Sequence, residues 1–85
     1  MKINIKYFAR ARVAMGRGGE EITLPPEVTT VAALVAHLTA TSAEHRLLFA
    51  THQNLKFAVN HRFAEPHQTI DSGDEVAIFP PVTGG

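Results

Sequence analysis

The C-terminus holds the residues whose types and spacing point most directly to chemistry. The chain ends in the run Phe79-Pro80-Pro81-Val82-Thr83-Gly84-Gly85. Glycine has no side chain, so the final pair can thread a narrow channel and adopt backbone conformations that other residues avoid. A free carboxylate is a poor electrophile, but an acyl-adenylate has a good leaving group, and an unhindered glycyl carbonyl is open to a sulfur nucleophile. We therefore predict that Gly85 is the reactive residue, first as an adenylate and then as a thiocarboxylate.

Two prolines set how this end leaves the body of the protein. Neither Pro80 nor Pro81 has an N–H to donate to a sheet, so strand pairing should stop before them. Consecutive prolines also favour an extended, projecting backbone. The stretch from residue 80 to residue 85 spans at most ~20 Å. The expected organisation is one domain over residues 1–79, followed by an extended, flexible tail over residues 80–85.

The charge balance argues against binding to nucleic acid or to a membrane. Eight Lys and Arg residues offset eight Asp and Glu residues, whereas proteins held by charge to nucleic acid or anionic lipid carry a basic excess. The N-terminal segment alternates charged and apolar residues, unlike the apolar core of a signal peptide. No apolar run approaches the length that spans a membrane. We expect a cytoplasmic protein that binds neither nucleic acid nor membrane.

The chain has no cysteine, which excludes disulfides, thiolate metal sites and cysteine nucleophiles within it. Any sulfur on Gly85 must therefore come from a separate sulfur-donor protein. The loop Gly16-Arg17-Gly18-Gly19 lacks the Gly-Lys-Ser/Thr ending of a phosphate-binding loop, so a separate enzyme is expected to consume the ATP and no cofactor is expected on this chain. The histidines show no His-x-x-x-His spacing, and no metal site is predicted.

Hydrophobic periodicity predicts the elements that position the tail. Period-two alternation predicts strands over residues 2–8, 20–24, 56–60 and 75–79, with a short edge strand over residues 61–64. Residues 9–15 are expected to form a loop or a single helical turn.

Two helices are predicted in the middle of the chain. The apolar stripe of the main helix consists of Val31, Leu34, Val35 and Leu38. Thr30 is the expected N-cap of this helix, and Ser42 is the expected N-cap of a shorter second helix.

The order of elements favours an α+β domain in which a mixed sheet of four or five strands packs on one main helix plus a short helix. The β-grasp, or ubiquitin-like, arrangement has this order. Its first and last strands are parallel neighbours at the centre of the sheet, and one face of the sheet stays open.

Two aromatic residues break the alternation of the predicted strands. Phe8 and Phe79 both fall on the polar face, which is the face expected to stay open, and an apolar cluster there would suit a partner protein. If the first and last strands are neighbours, the two rings should lie close together. The alternative is a one-residue slip in register, which would turn one or both rings into the core.

Three arginines near the first strand are candidates for contacts with acidic groups of a partner. They are Arg10, Arg12 and Arg17. The alternative is an ordinary solvated loop.

The chain resembles the MoaD family, the small sulfur carrier subunit of molybdopterin synthase. The resemblance is carried by the segment from Asp71 to Gly85, with its Phe-Pro-Pro-Val-x-Gly-Gly ending, and by the segments Tyr7-Phe8-Ala9-Arg10 and Ala58-Val59-Asn60. Chain length and the order of elements are similar over the whole chain.

The resemblance implies a reaction cycle and a set of partners. An E1-like, MoeB-type enzyme adenylates Gly85, and a sulfur-transfer system converts it to a thiocarboxylate. The tail then enters the active site of a large, MoaE-type subunit, where the sulfur passes to cyclic pyranopterin monophosphate. Two small subunits bind a dimer of large subunits, giving a heterotetramer.

The resemblance also implies which residues do what. This chain is noncatalytic and has no catalytic residue of its own. Its partner interface is implied to include Phe8, Phe63 and Phe79, with Arg12 as the favoured arginine because it lies beside the matching N-terminal segment.

Other functions would use the same end of the chain. A ubiquitin-like modifier would join Gly85 to lysines through an isopeptide bond. A sulfur carrier could instead serve thiamine thiazole synthesis or tRNA thiolation. A plain β-grasp interaction module would not use its terminus at all.

Overall fold

The computed structural model describes residues 1–81. Its strands are β1 (Lys2–Tyr7), β2 (Gly19–Thr23), β3 (Lys56–Val59), β4 (Arg62–Ala64) and β5 (Glu75–Phe79). Its helices are α1 (Arg10–Met15), α2 (Val31–Thr41) and α3 (Ala43–Thr51). No helix within these residues is long and apolar enough to cross a membrane. The predicted division into a domain over residues 1–79 and a tail over residues 80–85 stays a prediction, since residues 82–85 lie outside the described part.

The five strands form one mixed sheet in the order β2-β1-β5-β3-β4. Strand β1 is antiparallel to β2 and parallel to β5, and β3 is antiparallel to both β5 and β4. The predicted parallel pairing of the first and last strands at the centre is therefore confirmed. The strand that leads into the tail has a hydrogen-bonded neighbour on each side.

One face of the sheet packs on the helices and forms the core. The residues of β1 and β5 that point inward are fully buried, namely Ile3, Ile5, Tyr7, Val76 and Ile78. They meet Leu34 and Leu38 of α2 and Leu48 of α3, which are equally buried. Burying a side chain of this size contributes roughly 1.5–3 kcal/mol, so the inner face fixes the register of both central strands.

Both predicted caps of the long helices are confirmed. The hydroxyl of Thr30 accepts a hydrogen bond from the Ala33 N–H at 3.1 Å, and the hydroxyl of Ser42 accepts one from the His45 N–H at 3.3 Å. Each cap pairs one of the backbone N–H groups that a helix leaves unpaired in its first turn. Because Ser42 also follows the last residue of α2, the two helices meet at a single capping residue.

The segment after β1 is more regular than the sequence indicated. Residues 10–15 form the six-residue helix α1, whose inward side chains Ala11 and Met15 are buried. The helix ends at Gly16, which has φ 72°, a value that glycine adopts without steric cost.

The hairpin between β3 and β4 turns on two residues in the left-handed region. Asn60 has φ 50° and His61 has φ 69°, as a two-residue turn of type I′ requires. Strand β3 consequently ends at Val59, one residue before the predicted end, and β4 begins at Arg62.

Candidate functional site

The face of the sheet that points away from the helices carries the predicted interface. We call it the outer face. Its residues, identified by the strand registers, are Lys2, Asn4, Lys6, Gly19, Glu21, Thr23, Lys56, Ala58, Phe63, Glu75, Ala77 and Phe79. Phe8 continues the alternation of β1 beyond Tyr7 onto this face.

Three phenylalanines dominate the outer face. The side chain of Phe8 is 50% exposed and that of Phe63 is 81% exposed, while Phe79 is half-buried. The rings of Phe63 and Phe79 pack together with their centroids 5.8 Å apart and their planes inclined by 56°. An apolar surface of this kind on a small protein is a typical contact for a partner.

The strand register answers whether these rings lie in the core. The inward positions next to them belong to Tyr7 and Ile78, which are almost completely buried. A slip that buries Phe8 is therefore excluded. The Phe8 N–H donates to the Ile78 carbonyl oxygen at 3.1 Å, which brings the backbone of Phe8 beside the end of β5.

A strained turn sets the position of Phe8. Ala9 has φ 52° and ψ −128°, a backbone conformation that residues other than glycine rarely adopt. The Ala11 N–H closes the turn on the Phe8 carbonyl oxygen at 3.1 Å. The turn is held by the burial of Ala11 and Met15, so the packing of α1 keeps the chain bent directly after Phe8.

The guanidinium of Arg12 lies against the loop that precedes β2. A methyl group on Gly18 would stand 3.4 Å from Arg12 Cζ, so the side chain runs close over this glycine. At the next position, a methyl group on Gly19 would stand only 2.7 Å from the Ile5 carbonyl oxygen, which explains why residue 19 is glycine. A contact between Arg12 and a partner stays a prediction.

Arg17 is engaged within the chain. Its guanidinium donates to Glu20 Oε2 at 2.8–2.9 Å and lies 3.4 Å from the carboxylate of Glu44. Two carboxylates of its own chain therefore pair with Arg17, and a contact between Arg17 and acidic groups of a partner stays a prediction.

The same contacts extend into a cluster that the sequence did not reveal. Tyr7 donates its hydroxyl to Glu20 Oε2 at 2.5 Å, and His45 Nε2 lies 2.7 Å from the same hydroxyl oxygen. On the other side of the ring, His45 Nδ1 lies 2.7 Å from Ser42 Oγ. We call these residues, with Arg17, the buried polar cluster.

Burial and neighbouring charge shift the proton affinities in this cluster. Burial, reinforced by the hydrogen bond to Glu20 and its charge, raises the pKa of Tyr7 well above its usual range. Burial lowers the pKa of His45 below the usual 6.5, although the charge of Glu20 opposes this effect. At neutral pH the cluster therefore holds a neutral phenol and a neutral imidazole.

An available sequence signal pointed to part of this cluster. Glu20 lies two residues before Ile22 in β2, so both side chains point toward the core. A carboxylate on that face needs a hydrogen-bonding or charged partner. His45 stands three positions before Leu48 on the same helix face. The sequence does not show that β1, β2 and α3 bring these residues together.

A groove opens where β5 delivers the chain to the tail. It has a volume of about 840 Å³, and its lining includes Ala32, Val35, Leu55, Phe57, Phe79 and Pro81. We call it the tail-base groove. It runs from the first turns of α2, past the start of β3, to the last residue that the structure describes.

The described part of the predicted tail consists of two residues. Strand β5 ends at Phe79, as predicted, and Pro80 and Pro81 follow in a half-buried state. The remaining predicted tail residues, Val82, Thr83, Gly84 and Gly85, lie outside the described part. Within residues 1–81, no group of three or more His, Asp or Glu side chains is arranged to hold a metal ion.

Comparison with known proteins gives this arrangement a family. The model of the ThiS family matches residues 5–85. The chain belongs to the ThiS family. It is 36% identical over 83 residues to the molybdopterin synthase sulfur carrier subunit of Escherichia coli, an alignment that covers 98% of this chain and 99% of that one. The resemblance to the MoaD family is thereby confirmed.

Solved structures confirm the β-grasp fold. The candidate molybdopterin converting factor subunit 1 of Pyrococcus furiosus is 32% identical to this chain and superposes with a TM-score of 0.78. The superposition covers 96% of this chain and 99% of that one. The small archaeal modifier protein 1 of Haloferax volcanii superposes with a TM-score of 0.76 over 95% of this chain and 98% of its own. Its identity is 21%, so this second likeness concerns the fold alone.

Proposed function

We propose that this chain is the sulfur carrier subunit of a molybdopterin synthase and that it carries the sulfur as a thiocarboxylate on Gly85. The observation that carries the proposal is the alignment with the Escherichia coli sulfur carrier subunit, because it covers 98% of one chain and 99% of the other. The central position of β5 supports it, since the reactive end then extends from a strand that is paired on both sides.

The proposed chemistry proceeds through an activated acyl group. An E1-like, MoeB-type enzyme joins the Gly85 carboxylate to the α-phosphate of ATP, releasing pyrophosphate. A persulfide on a sulfur-donor protein displaces AMP, and a second thiol then cleaves the resulting acyl disulfide. The products are the thiocarboxylate on this chain and a disulfide on the donor. Because this chain has no cysteine, both thiols belong to other proteins.

The proposed recipient is the large, MoaE-type subunit, with two copies of each subunit in a heterotetramer. The tail enters the active site of the large subunit and passes its sulfur to cyclic pyranopterin monophosphate. The exposed rings of Phe8 and Phe63 beside Phe79 support docking through the outer face.

In this proposal the chain is noncatalytic and cytoplasmic, and the groups that act on the pterin belong to the partner. The distribution of polar groups supports this division of labour. Burial raises the pKa of Tyr7 and lowers that of His45, and both side chains are hydrogen-bonded within the buried polar cluster on the inner side of the sheet.

The test is mass spectrometry of the chain isolated from its own host under non-reducing conditions. We expect a mass increase equal to the exchange of one oxygen for sulfur, localised to Gly85. A chain lacking Gly84 and Gly85 should lose both this increase and the ability to support molybdopterin formation. Recovery of Gly85 joined to lysine side chains, with no sulfur on any copy, would instead indicate a protein modifier.

A further inference from the structure

The tail-base groove is apolar along its length and carries little charge at its rim. Val35, Leu55 and Phe57 are half-buried along its walls, so part of each side chain remains open to the groove. The two charged residues of the lining, Lys56 and Glu65, have opposite charges. Such a lining favours a neutral, apolar occupant over an anion or a cation.

The length of the tail decides what reaches this groove. Pro81 belongs to the groove lining, and residues 82–85 separate it from the reactive carboxyl group. That stretch spans at most ~14 Å when fully extended. Any active site that encloses Gly85 must therefore lie within this distance of Pro81, so the protein around that site comes close to the base of the tail.

We infer that an apolar segment of the large subunit fills the tail-base groove when the tail is inserted. The inference rests on the proposed function and extends the interface from the outer face to the first turns of α2. The groove is continuous with the outer face through Phe63 and Phe79, which line it and also form the packed ring pair. A partner that docks on these rings therefore lies directly beside the groove.

Ala32 gives a direct test because its side chain lines the groove and is exposed. Its backbone N–H donates to the Pro66 carbonyl oxygen at 2.9 Å, a bond that a change of side chain leaves in place. Ala32 lies in the first turn of α2, where no acidic residue is present. Glutamate at this position suits the helix dipole, so Ala32→Glu is expected to fold normally.

The experiment measures binding to the purified large subunit of the same organism by isothermal titration calorimetry. Ala32→Glu and Ala32→Arg are compared with Ala36→Glu and Ala36→Arg, since Ala36 is exposed one turn further along α2 and does not line the groove. We expect both Ala32 variants to bind at least about tenfold more weakly, because each places a charge where an apolar group must be buried. The Ala36 variants should bind within about threefold of the wild-type chain.

Three results would overturn the inference. The first is wild-type affinity of both Ala32 variants. The second is a loss for one sign of charge only, which indicates long-range electrostatics in place of groove filling. The third is a dimer of the free wild-type chain, detected by sedimentation, that Ala32→Glu dissociates, because a second copy would then be the occupant.

Failure of the inference is distinguishable from failure of the proposed function. If the wild-type chain does not bind the large subunit at all, the proposed function is wrong. If it binds and the Ala32 variants bind equally well, the proposed function stands and the groove lies outside the interface.

Discussion

At the scale of single residues, the buried polar cluster shows how the domain accommodates polar groups in a small core. The Tyr7 hydroxyl donates to Glu20 and lies within hydrogen-bonding distance of His45, whose ring also reaches Ser42. No buried side-chain nitrogen or oxygen within the described residues lacks a partner. A satisfied polar cluster of this kind costs little to bury, but it becomes costly when one member is removed.

Tyr7→Phe tests this asymmetry. The change removes the hydroxyl that joins Glu20 to His45 while keeping the ring in the core. We expect the free energy of unfolding, measured with urea, to fall by roughly 1–3 kcal/mol. Thr41→Val is the control because it removes an exposed hydroxyl that donates to the His37 carbonyl oxygen at 2.7 Å. Equal effects of the two variants would contradict the proposed importance of the cluster.

His45 predicts a dependence of stability on pH. Burial lowers its pKa in the folded chain, so the unfolded chain binds the proton more tightly. The corresponding stabilisation is complete above the unfolded pKa of about 6.5 and is lost as the pH falls through the folded pKa. Urea unfolding at about pH 7.5 and about pH 5 should therefore show a smaller free energy of unfolding at the lower pH.

The variant His45→Phe isolates this effect from other titrations. The fall in stability between the two pH values should be smaller in His45→Phe than in the wild type. The variant His67→Gln changes an exposed histidine and should keep the wild-type dependence. An unchanged pH dependence in His45→Phe would show that other groups cause it.

At the scale of elements, the residues with positive φ within the described part of the chain lie in the segments between helices and strands. His61 occupies the second central position of the β3–β4 turn with φ 69°, where type I′ turns favour glycine. A left-handed conformation costs a residue with a side chain roughly 1–2 kcal/mol, while glycine adds up to about 1 kcal/mol of entropy to the unfolded chain. The first effect is the larger of the two.

His61→Gly is therefore expected to raise the free energy of unfolding by about 0.5 kcal/mol. Gly73→Ala is the opposite control, because Gly73 has φ 88° and a side chain there is strained even though the space is open. It should lower the free energy of unfolding by about 1 kcal/mol or more. A loss of stability in His61→Gly would mean that the His61 side chain contributes more than its turn costs.

The elements also show where sequence reasoning succeeds. Helices α2 and α3 are predictable because apolar spacing and the capping residues Thr30 and Ser42 agree with each other. Helix α1 is not, because it is short, lacks a capping side chain and begins at the strained Ala9. Its conformation comes from the burial of Ala11 and Met15, which depends on the completed sheet.

The candidate site divides in the same way. Strand parity predicted that Phe8 and Phe79 lie off the core, since parity is a local property of each strand. The contact between Phe63 and Phe79 depends on the register of three strands and follows from the structure alone.

At the scale of the whole molecule, we expect a substitution on the outer face to weaken binding to the partner while leaving the stability of the domain nearly unchanged. Phe63 is 81% exposed, so Phe63→Ala should change the free energy of unfolding by no more than about 0.5 kcal/mol. Binding to the large subunit should weaken by about tenfold or more, because exposed aromatic residues commonly dominate interface energies. Calorimetric titration measures the affinity and urea unfolding measures the stability.

Val13→Ala is the matched control for Phe63→Ala. Val13 is 83% exposed on α1, so the variant removes a comparably exposed apolar side chain away from the outer face. It should leave both affinity and stability close to the wild-type values. Equal losses of affinity in the two variants would contradict an interface centred on the phenylalanines.

The central position of β5 also has a consequence for how the protein is made. A ribosome delivers residues 75–79 after all the other strands, yet these residues lie between β1 and β3 and join the two halves of the sheet. A chain released before residue 79 lacks its central strand and exposes the inner faces of both neighbours. We therefore expect prematurely terminated copies to remain unfolded and open to proteolysis. A folded carrier is then one that has already received the strand leading into its reactive end.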